Sequence, residues 1–330
     1  MDVVVLRDRV SPNASPDELD VLLQAEAICE ALERMAHSPR VMEFCLDLQA
    51  VREALGDIRP AFVFNLVESV EGQGRLIHLS PTLLEMMGLP YTGSDALAIY
   101  TTSNKLLAKK LLRAAGIATP PWLAAEDLKE NAPRPGRAYI IKSQWEHASI
   151  GLSEASIIRP EGQSGPLLKE LAGGRARLRD EGFAEEFIEG REFNLSILAN
   201  GGRSAVLPPG EIQFLDFPKD KPKIVGYEAK WVEDSFEYGH TPRTFEFDER
   251  DRPLLDELSR IALACWSLFG LRGYARVDFR VDNDGKPWVL EINVNPCLSP
   301  DAGYAAAVTK AGLTYQQAIE RIVTDSFPPN

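Results

Sequence analysis

Two neighbouring segments near the end of the chain carry polar residues at a spacing that suits metal binding. Tyr274–Val281 and Pro287–Asn293 are both rich in β-formers, and an Asn-Asp-Gly turn separates them. This arrangement predicts a β-hairpin. Side chains alternate between the two faces of a strand, so Asp278 and Glu291 can converge from adjacent strands.

Asp278, Glu291 and Asn293 would present hard oxygen ligands, the type that magnesium prefers, and magnesium usually completes its shell with substrate phosphate. Two such ions could clamp a transferring phosphoryl group. Arg276, one strand repeat from Asp278, could neutralise charge that develops on that group. On the hairpin alone, a half-exposed sheet face with solvated charges remains an equal alternative.

Composition limits the class of protein. The chain has 330 residues, 45% of them hydrophobic, which predicts two or three domains with buried cores. The net charge of −13 argues against a nucleic-acid surface. The four scattered cysteines predict neither a disulfide framework nor a zinc site. No signal peptide and no apolar run of about 20 residues is present, so we expect a cytoplasmic protein without a membrane partner.

Apolar runs alternate with helical patterns, which predicts an α/β fold. Strands at Val3–Leu6 and Ala61–Leu66 and helices at Glu18–Arg34 and Pro81–Met87 predict a small N-terminal parallel-sheet domain. Further along we predict a helix at Thr101–Ala115, strands at Ala138–Lys142, Leu152–Ile158, Phe183–Ile188 and Glu192–Ala199, a helix at Arg252–Phe269, and closing helices at Ala302–Ala311 and Tyr315–Val323. The weakly patterned stretch Ser204–His240 is typical of a mobile covering loop.

Four motifs in order carry a family resemblance. They are LEMMGLPYTGS at 84–94, NK followed by LL and GIATP at 104–120, RVDF at 276–279, and EINVNP at 291–296. Together they resemble the ATP-grasp superfamily and, within it, the D-alanine–D-alanine ligase family. The resemblance implies an ATP-grasp fold in three domains, at residues 1–95, 96–186 and 187–330, with ATP between the second and third.

The resemblance also implies the chemistry. ATP would phosphorylate a substrate carboxylate, and an amine would attack the acylphosphate and release phosphate with an amide formed. Phosphorylation gives the carboxylate a good leaving group, and the rest of catalysis is positioning and charge neutralisation. The implied cofactors are ATP and Mg²⁺, with two ions expected and Mn²⁺ as an alternative. Small amino-acid or peptide substrates are implied, and a homodimer by analogy alone.

Residue roles follow by match to the family motifs. Asp278, Glu291 and Asn293 match the magnesium ligands, Arg276 matches the residue that stabilises the transition state, and Lys230 matches a lid lysine that reaches the γ-phosphate. The nucleotide-binding positions are Lys105 and Lys142 at the phosphates, Ser149 in the phosphate-covering loop, Glu185, Glu186, Phe187 and Ile188 at the adenine, Glu192 at the ribose, and Lys230.

The substrate half departs from the family pattern. Glu18 is the nearest match to the acid that holds an ammonium group, and Ala148 and Trp231 replace its expected Ser and Tyr partners. The family's substrate-binding tail is here Cys297–Ala302, with Cys297, Ser299 and Asp301 as candidate contacts and without the expected hydroxyl donor. His147 stands where the family has glycine, and a lone loop histidine is more often solvated than functional.

Several functions stay open. A ligase for a non-standard amino-acid or peptide pair is the first, because lost polar contacts cost about 1–3 kcal/mol each. A true D-alanine–D-alanine ligase of cell-wall synthesis with substitute contacts is the second. A catalytically inactive nucleotide-binding protein is disfavoured by the full set of metal ligands. A phosphotransferase would need a phosphate-accepting histidine, and none of the four histidines lies in a recognisable acceptor motif.

Overall fold

A computed structural model describes residues 1–11, 13–147, 149–174, 178, 181–200 and 203–327. Its strands form three sheets. They are β1 (Asp2–Asp8), β2 (Ser38–Phe44), β3 (Phe62–Asn65), β4 (Trp122–Leu123), β5 (Tyr139–Ser143), β6 (Ile157–Ile158), β7 (Gly182–Glu186), β8 (Gly190–Asn200), β9 (Arg203–Val206), β10 (Gly210–Ile212), β11 (Arg243–Thr244), β12 (Tyr274–Asp282) and β13 (Pro287–Asn293).

Helices cover these sheets. They span Pro16–Arg34, Leu48–Ile58, Leu79–Met87, Ala96–Ser103, Lys105–Ala114, Asp127–Glu130, Ser164–Gly173, Glu228–Trp231, Phe236–His240, Arg252–Leu268, Gly303–Lys310 and Tyr315–Asp325. In the part of the chain that the structure describes, no helix is long and apolar enough to cross a membrane.

The N-terminal sheet is parallel, in the order β2-β1-β3, which confirms the predicted N-terminal architecture. The three valines and one leucine of Val3–Leu6 are fully inaccessible, as a strand covered on both faces requires. The helix Pro16–Arg34 covers one face of this sheet. Its buried side chains share one core with the closing helices and with Leu198 and Tyr274 of the largest sheet. One hydrophobic core therefore runs from the N-terminal sheet into the C-terminal part of the chain.

Two antiparallel sheets form the rest of the molecule. The order of the smaller is β4-β7-β5-β6, and the order of the larger is β11-β10-β8-β12-β13, with β9 added to β8. The larger sheet buries Phe193, Val277 and Phe279 against the helices Ala96–Ser103, Lys105–Ala114 and Arg252–Leu268. Two antiparallel sheets that face each other across a cleft agree with the predicted ATP-grasp architecture.

Two predicted elements are wrong in part. The single helix predicted at Thr101–Ala115 is two helices, because Asn104 leaves the helical conformation and its side chain caps the second helix by accepting a hydrogen bond from Leu107 N at 3.0 Å. The strand predicted at Leu152–Ile158 is reduced to Ile157–Ile158. Ser153 N bonds Ser156 Oγ at 3.0 Å, which favours a 3₁₀ turn there instead.

Two elements of the N-terminal part escaped prediction, as did the short strand Trp122–Leu123 and the short helix Asp127–Glu130 further along. The edge strand Ser38–Phe44 is mostly exposed, so it lacks the apolar alternation by which a half-buried strand is recognised. The helix Leu48–Ile58 buries only Val51 and Leu55 fully. The long stretch Ser204–His240 is also more ordered than predicted, since it contains two strands and two short helices.

Candidate active site

The predicted hairpin is present, and its register brings the predicted metal ligands together. Asp278 of β12 lies opposite Glu291 of β13, and Arg276 lies opposite Asn293. The register shifts between Asp278 and Phe279, and pairing resumes with Phe279 opposite Val289. On the other side of β12, Asn194 of β8 is also opposite Asp278. Cross-strand neighbours share a face, so these five polar residues form one surface.

Asp278 is held by two donors. Arg276 donates from Nε to Oδ1 at 2.7 Å and from Nη2 to Oδ2 at 2.8 Å, and Asn194 Nδ2 donates to Oδ1 at 2.8 Å. Burial alone would lower the pKa of Arg276, but the charges of Asp278 and Glu291 outweigh it and raise that pKa above its usual value. Arg276 therefore stays charged beside the predicted metal ligand.

Glu291 is surrounded by basic side chains. Its Oε1 lies 2.8 Å from His147 Nδ1 and 3.5 Å from Lys105 Nζ. Burial opposes ionisation of Glu291, yet Lys105, His147 and Lys230 hold its pKa well below the usual value. The expectation of a solvated His147 is wrong. Its ring is mostly buried against Glu291, and Nε2 has no hydrogen-bond partner among the described residues.

The donor set fits a divalent cation that is shared with phosphate. Two carboxylates, Asp278 and Glu291, face each other, and Asn293 lies beside them with its Oδ1 accepting from Asn295 N at 3.0 Å. Among the described residues, no group of three or more His, Cys, Asp or Glu side chains could hold a metal by itself. Hard oxygens from a bound phosphate would complete the shell of a magnesium-type ion.

A cleft between the two antiparallel sheets collects most of the predicted nucleotide-binding residues. Its lining includes Lys142, Ser149, Glu185, Glu186, Phe187, Ile188, Glu192, Lys230, Asp278 and Glu291. Burial, reinforced by the nearby Arg276, lowers the pKa of Lys230. Lys105 lies at the edge of the site, where its Nζ also donates to Glu146 O at 2.5 Å. The structure thus places every predicted nucleotide residue in or beside one cleft.

A buried lysine that sequence reasoning missed supports the far end of this cleft. Glu185 Oε1 lies 2.5 Å from Lys142 Nζ, and its Oε2 lies 2.6 Å from Lys109 Nζ. Burial raises the pKa of Glu185, but the two ammonium groups outweigh burial and hold it below the usual value. Burial lowers the pKa of Lys109 to about 8. The available sequence signal was its position one helical turn after Lys105.

Glu192, the acid predicted to bind the ribose, forms an ion pair with an arginine of the larger sheet. Glu192 Oε2 lies 2.8 Å from Arg280 Nη2, and the Arg280 guanidinium lies 5.7 Å from the centre of the Phe187 ring. Arg280 donates in addition to the backbone oxygens of Gly190 and Lys223. Arg280 therefore links Phe187, which follows β7, to the larger sheet and to the covering segment Ser204–His240.

The covering segment, Ser204–His240, is held in place by two hydrogen bonds, one at the cleft and one to the N-terminal helix. Ser149, which has a left-handed φ of +61°, donates from Oγ to Val225 O at 2.9 Å. Tyr227 donates from its hydroxyl to Asp17 Oδ1 at 2.7 Å, which ties the segment to the N-terminal helix. Trp231 ends the short helix that carries Lys230 and is partly buried. Ala148 lies outside the described residues.

The substrate-side candidates are divided between two places. Glu18 Oε2 accepts from Ser15 N and Ser15 Oγ, both at 2.8 Å, and forms the capping box of Pro16–Arg34. Cys297 Sγ and Ser299 Oγ instead donate to Asp20, at 2.9 Å and 2.7 Å. Asp301 is exposed. Asp20, rather than Glu18, therefore links the N-terminal helix to the segment that follows the metal ligands.

An acidic cluster of Asp8, Asp20 and Glu68 surrounds this link. Gln24 Nε2 donates to Asp20 Oδ2 at 3.0 Å and to Glu68 Oε1 at 2.9 Å. Burial raises the pKa of Glu68 to about 8, with Asp8 and Asp20 adding to the rise, and burial raises the pKa of Asp8 to about 7. Sequence reasoning missed this cluster, although a polar Gln24 on the buried stripe of a helix was a signal.

The raised pKa of Glu68 predicts a pH-dependent stability. A carboxyl whose pKa rises from 4.5 to about 8 binds a proton on folding within that window. The free energy of unfolding should then fall as pH rises from about 5 to 8. In Glu68→Gln the fall should be smaller, with Asp8 accounting for part of what remains.

Urea unfolding of the wild type, Glu68→Gln and the exposed control Glu71→Gln at a series of pH values checks this. The control should follow the wild type. An unchanged pH slope in Glu68→Gln would contradict the raised pKa.

Comparisons with known proteins agree with this geometry. The family model described as the D-ala D-ala ligase C-terminus matches residues 111–324. An uncharacterised protein of Sinorhizobium fredii, y4sG, is 29% identical over 304 residues, which is 91% of this chain and 86% of that protein. A D-alanine–D-alanine ligase of Synechococcus sp. is 28% identical over 337 residues, covering 99% of this chain and 94% of the relative.

The fold is shared with solved structures. The D-alanine–D-alanine ligase of Bacillus anthracis complexed with ATP superimposes with a TM-score of 0.72 at 20% identity, over 99% of this chain and 97% of that one. The family match covers well over half of the chain, including the hairpin and the cleft. The chain therefore belongs to the D-alanine–D-alanine ligase family of ATP-grasp ligases, which form a carbon–nitrogen bond.

Proposed function

We propose that the chain uses ATP and Mg²⁺ to join a carboxylate to an amine through an acylphosphate, with an amino-acid or peptide pair other than two D-alanines. The main support for this reaction is that Asp278 and Glu291 lie opposite each other in a cleft that also contains Lys142 and Lys230. Two facing carboxylates and flanking lysines suit a metal-bound triphosphate.

The roles of the residues follow from their positions. Asp278, Glu291 and Asn293 would hold divalent metal, which when bound neutralises phosphate oxygens. Arg276, already fixed by Asp278, would neutralise charge on the phosphoryl group in transfer. The phosphates would be bound by Lys105, Lys142, Lys230 and the Ser149 loop, the adenine by Glu185, Glu186, Phe187 and Ile188, and the ribose by Glu192.

Exclusion of water is the task of the covering segment. Its contacts from Val225 to Ser149 and from Tyr227 to Asp17 close the cleft from two sides. An acylphosphate hydrolyses readily, so a closed cleft favours attack by the amine over attack by water. The division into domains at residues 95 and 186, two metal ions and a homodimer stay proposals.

The proposal of a non-standard pair rests on the substrate side. Glu18, the expected ammonium ligand, caps its own helix, whereas Asp20 and Glu68 lie towards the hairpin. Cys297 and Ser299 are held by Asp20. These contacts define a different set of polar partners for a substrate. The alternative is a true D-alanine–D-alanine ligase, the name of several relatives.

A screen of substrates tests both parts. ATP-dependent phosphate release would be measured with D-alanine, other amino acids and dipeptides, and products would be identified by mass. We expect faster turnover with a pair other than two D-alanines and a product whose mass shows one amide bond. Rapid formation of D-alanyl-D-alanine from D-alanine alone would contradict the substrate proposal. ATP hydrolysis without any amide product would contradict the ligase.

A further inference from the structure

A third arginine, besides Arg276 and Arg280, lies on the face of the larger sheet that carries the metal-site residues. Arg243 of β11 is opposite Ile212 of β10, Ile212 is opposite Glu192 of β8, and Glu192 is opposite Arg280 of β12. Directly opposed residues share a face, and residues two apart on a strand do so as well. Arg243 therefore lies on the face that presents Asp278.

Two glycines leave room for the Arg243 side chain. A Cβ at Gly210 would lie 3.0 Å from Arg243 Cδ, and a Cβ at Gly303 would lie 2.6 Å from Arg243 Nη2. Gly210 is opposite Asn194, the residue that donates to Asp278. The arginine thus crosses the sheet over one glycine and ends at the other, at the start of the helix Gly303–Lys310. A side chain at either glycine would meet it.

The charges at this position are not balanced. Among the described residues, the Arg243 guanidinium has neither an ion pair nor a hydrogen bond, and the neighbouring Arg276 is already bound to Asp278. Arg243 is exposed as a whole residue; partial desolvation and the charge of Arg276 lower its pKa, and the charge of Asp278 opposes them. The helix at Gly303 has Ala302 as its N-cap, without a side-chain acceptor for the first N–H groups. A free guanidinium beside an uncapped helix start favours an anion.

We propose that Arg243 is a specificity-determining residue that binds the carboxylate of the amine-donating substrate. The proposal rests on the proposed ligase function. The guanidinium of Arg243 ends at Gly303, directly after the substrate-side segment Cys297–Ala302 and outside the lining of the nucleotide cleft, which favours a substrate carboxylate over the ATP phosphates. A planar guanidinium matches a carboxylate with two parallel hydrogen bonds. The acceptor is then an amino acid or peptide with a free carboxyl end.

Equilibrium binding tests this without turnover. The protein, saturated with Mg·ADP, would be titrated calorimetrically with a panel of amino acids and dipeptides, each as the free acid and as its C-terminal amide. We expect the wild type to prefer the acid, and Arg243→Ala to weaken binding of the acid by about 10- to 100-fold with little effect on the amide. Arg243→Lys should retain part of the preference. Gly303→Ala, which obstructs the guanidinium, should lose it.

The controls separate the alternatives. Arg260→Ala, which removes an exposed arginine paired with Glu257 on the outer side of the helix Arg252–Leu268, should bind like the wild type. A wild type that prefers no acid in the panel would overturn the proposal, as would equal losses for acid and amide in Arg243→Ala. Weaker binding of ADP or ATP by Arg243→Ala, with acid binding unchanged, would also overturn it by assigning the residue to phosphate. Failure of the ligase function appears separately, as absence of an amide product.

Discussion

Glu291→Gln is expected to lower kcat about 100- to 1,000-fold while the fold remains intact. Gln has nearly the same shape but lacks the negative charge that faces Asp278, lies near Lys105 and is bonded by His147. Loss of one fixed electrostatic contact in an active site commonly has an effect of this size. Lys105 keeps its bond to Glu146 O, so its ammonium group is not left without a partner.

Steady-state phosphate release at increasing Mg²⁺ concentration measures this effect, and urea unfolding checks the fold. The Mg²⁺ concentration for half-maximal rate should rise, because one ligand loses its charge. Glu249→Gln, at an exposed carboxylate outside the lining of the cleft, provides the matched control and should behave as the wild type. Near-normal turnover with an unchanged dependence on Mg²⁺ would contradict the assignment of Glu291 as a ligand.

Glu185→Gln is expected to be the most destabilising of these changes, at about 3–5 kcal/mol of unfolding free energy. The substitution leaves Lys109 and Lys142 without their shared carboxylate, and breaking a buried ion pair on one side costs about this much. Because burial already lowers the pKa of Lys109 to about 8, the loss should shrink above pH 8, where this lysine releases its proton.

Urea unfolding at pH 7 and pH 9.5 measures the loss and its pH dependence. Glu186→Gln is a close control, since the ion pairs of Glu186 are with the exposed Arg134 and Arg137, and such pairs contribute little, up to about 1 kcal/mol. Affinity for ATP should also fall in Glu185→Gln, because Lys142 lines the same cleft. Equal stability of the two variants would show that the Glu185 network is not an obligatory part of the fold.

The sequence by itself determined the features that local patterns encode. The Asn-Asp-Gly turn and the alternation around it fixed the hairpin and the face that Asp278 and Glu291 share, because turn chemistry and strand periodicity act within a few residues. The buried strand Val3–Leu6 and the helix Arg252–Leu268 were equally readable. The motif order then identified the family before any contact was known.

Tertiary structure decided what depends on partners distant in the chain. Lys109 reaches Glu185, His147 reaches Glu291, and each pair joins segments that no local pattern connects. Burial decides the protonation of such groups, as the raised pKa of Glu68 shows, and burial is a property of the packed chain.

The polar contacts on the substrate side also depend on residues that are distant in the chain. Asp20 meets Cys297 and Ser299 only because the N-terminal helix packs on the larger sheet. Arg243 reaches Gly303 only because two strands place it across Gly210. The residues for the ATP chemistry lie in short contiguous motifs. The residues proposed to recognise substrates come from separate parts of the chain, and packing rather than sequence spacing decides where those parts meet.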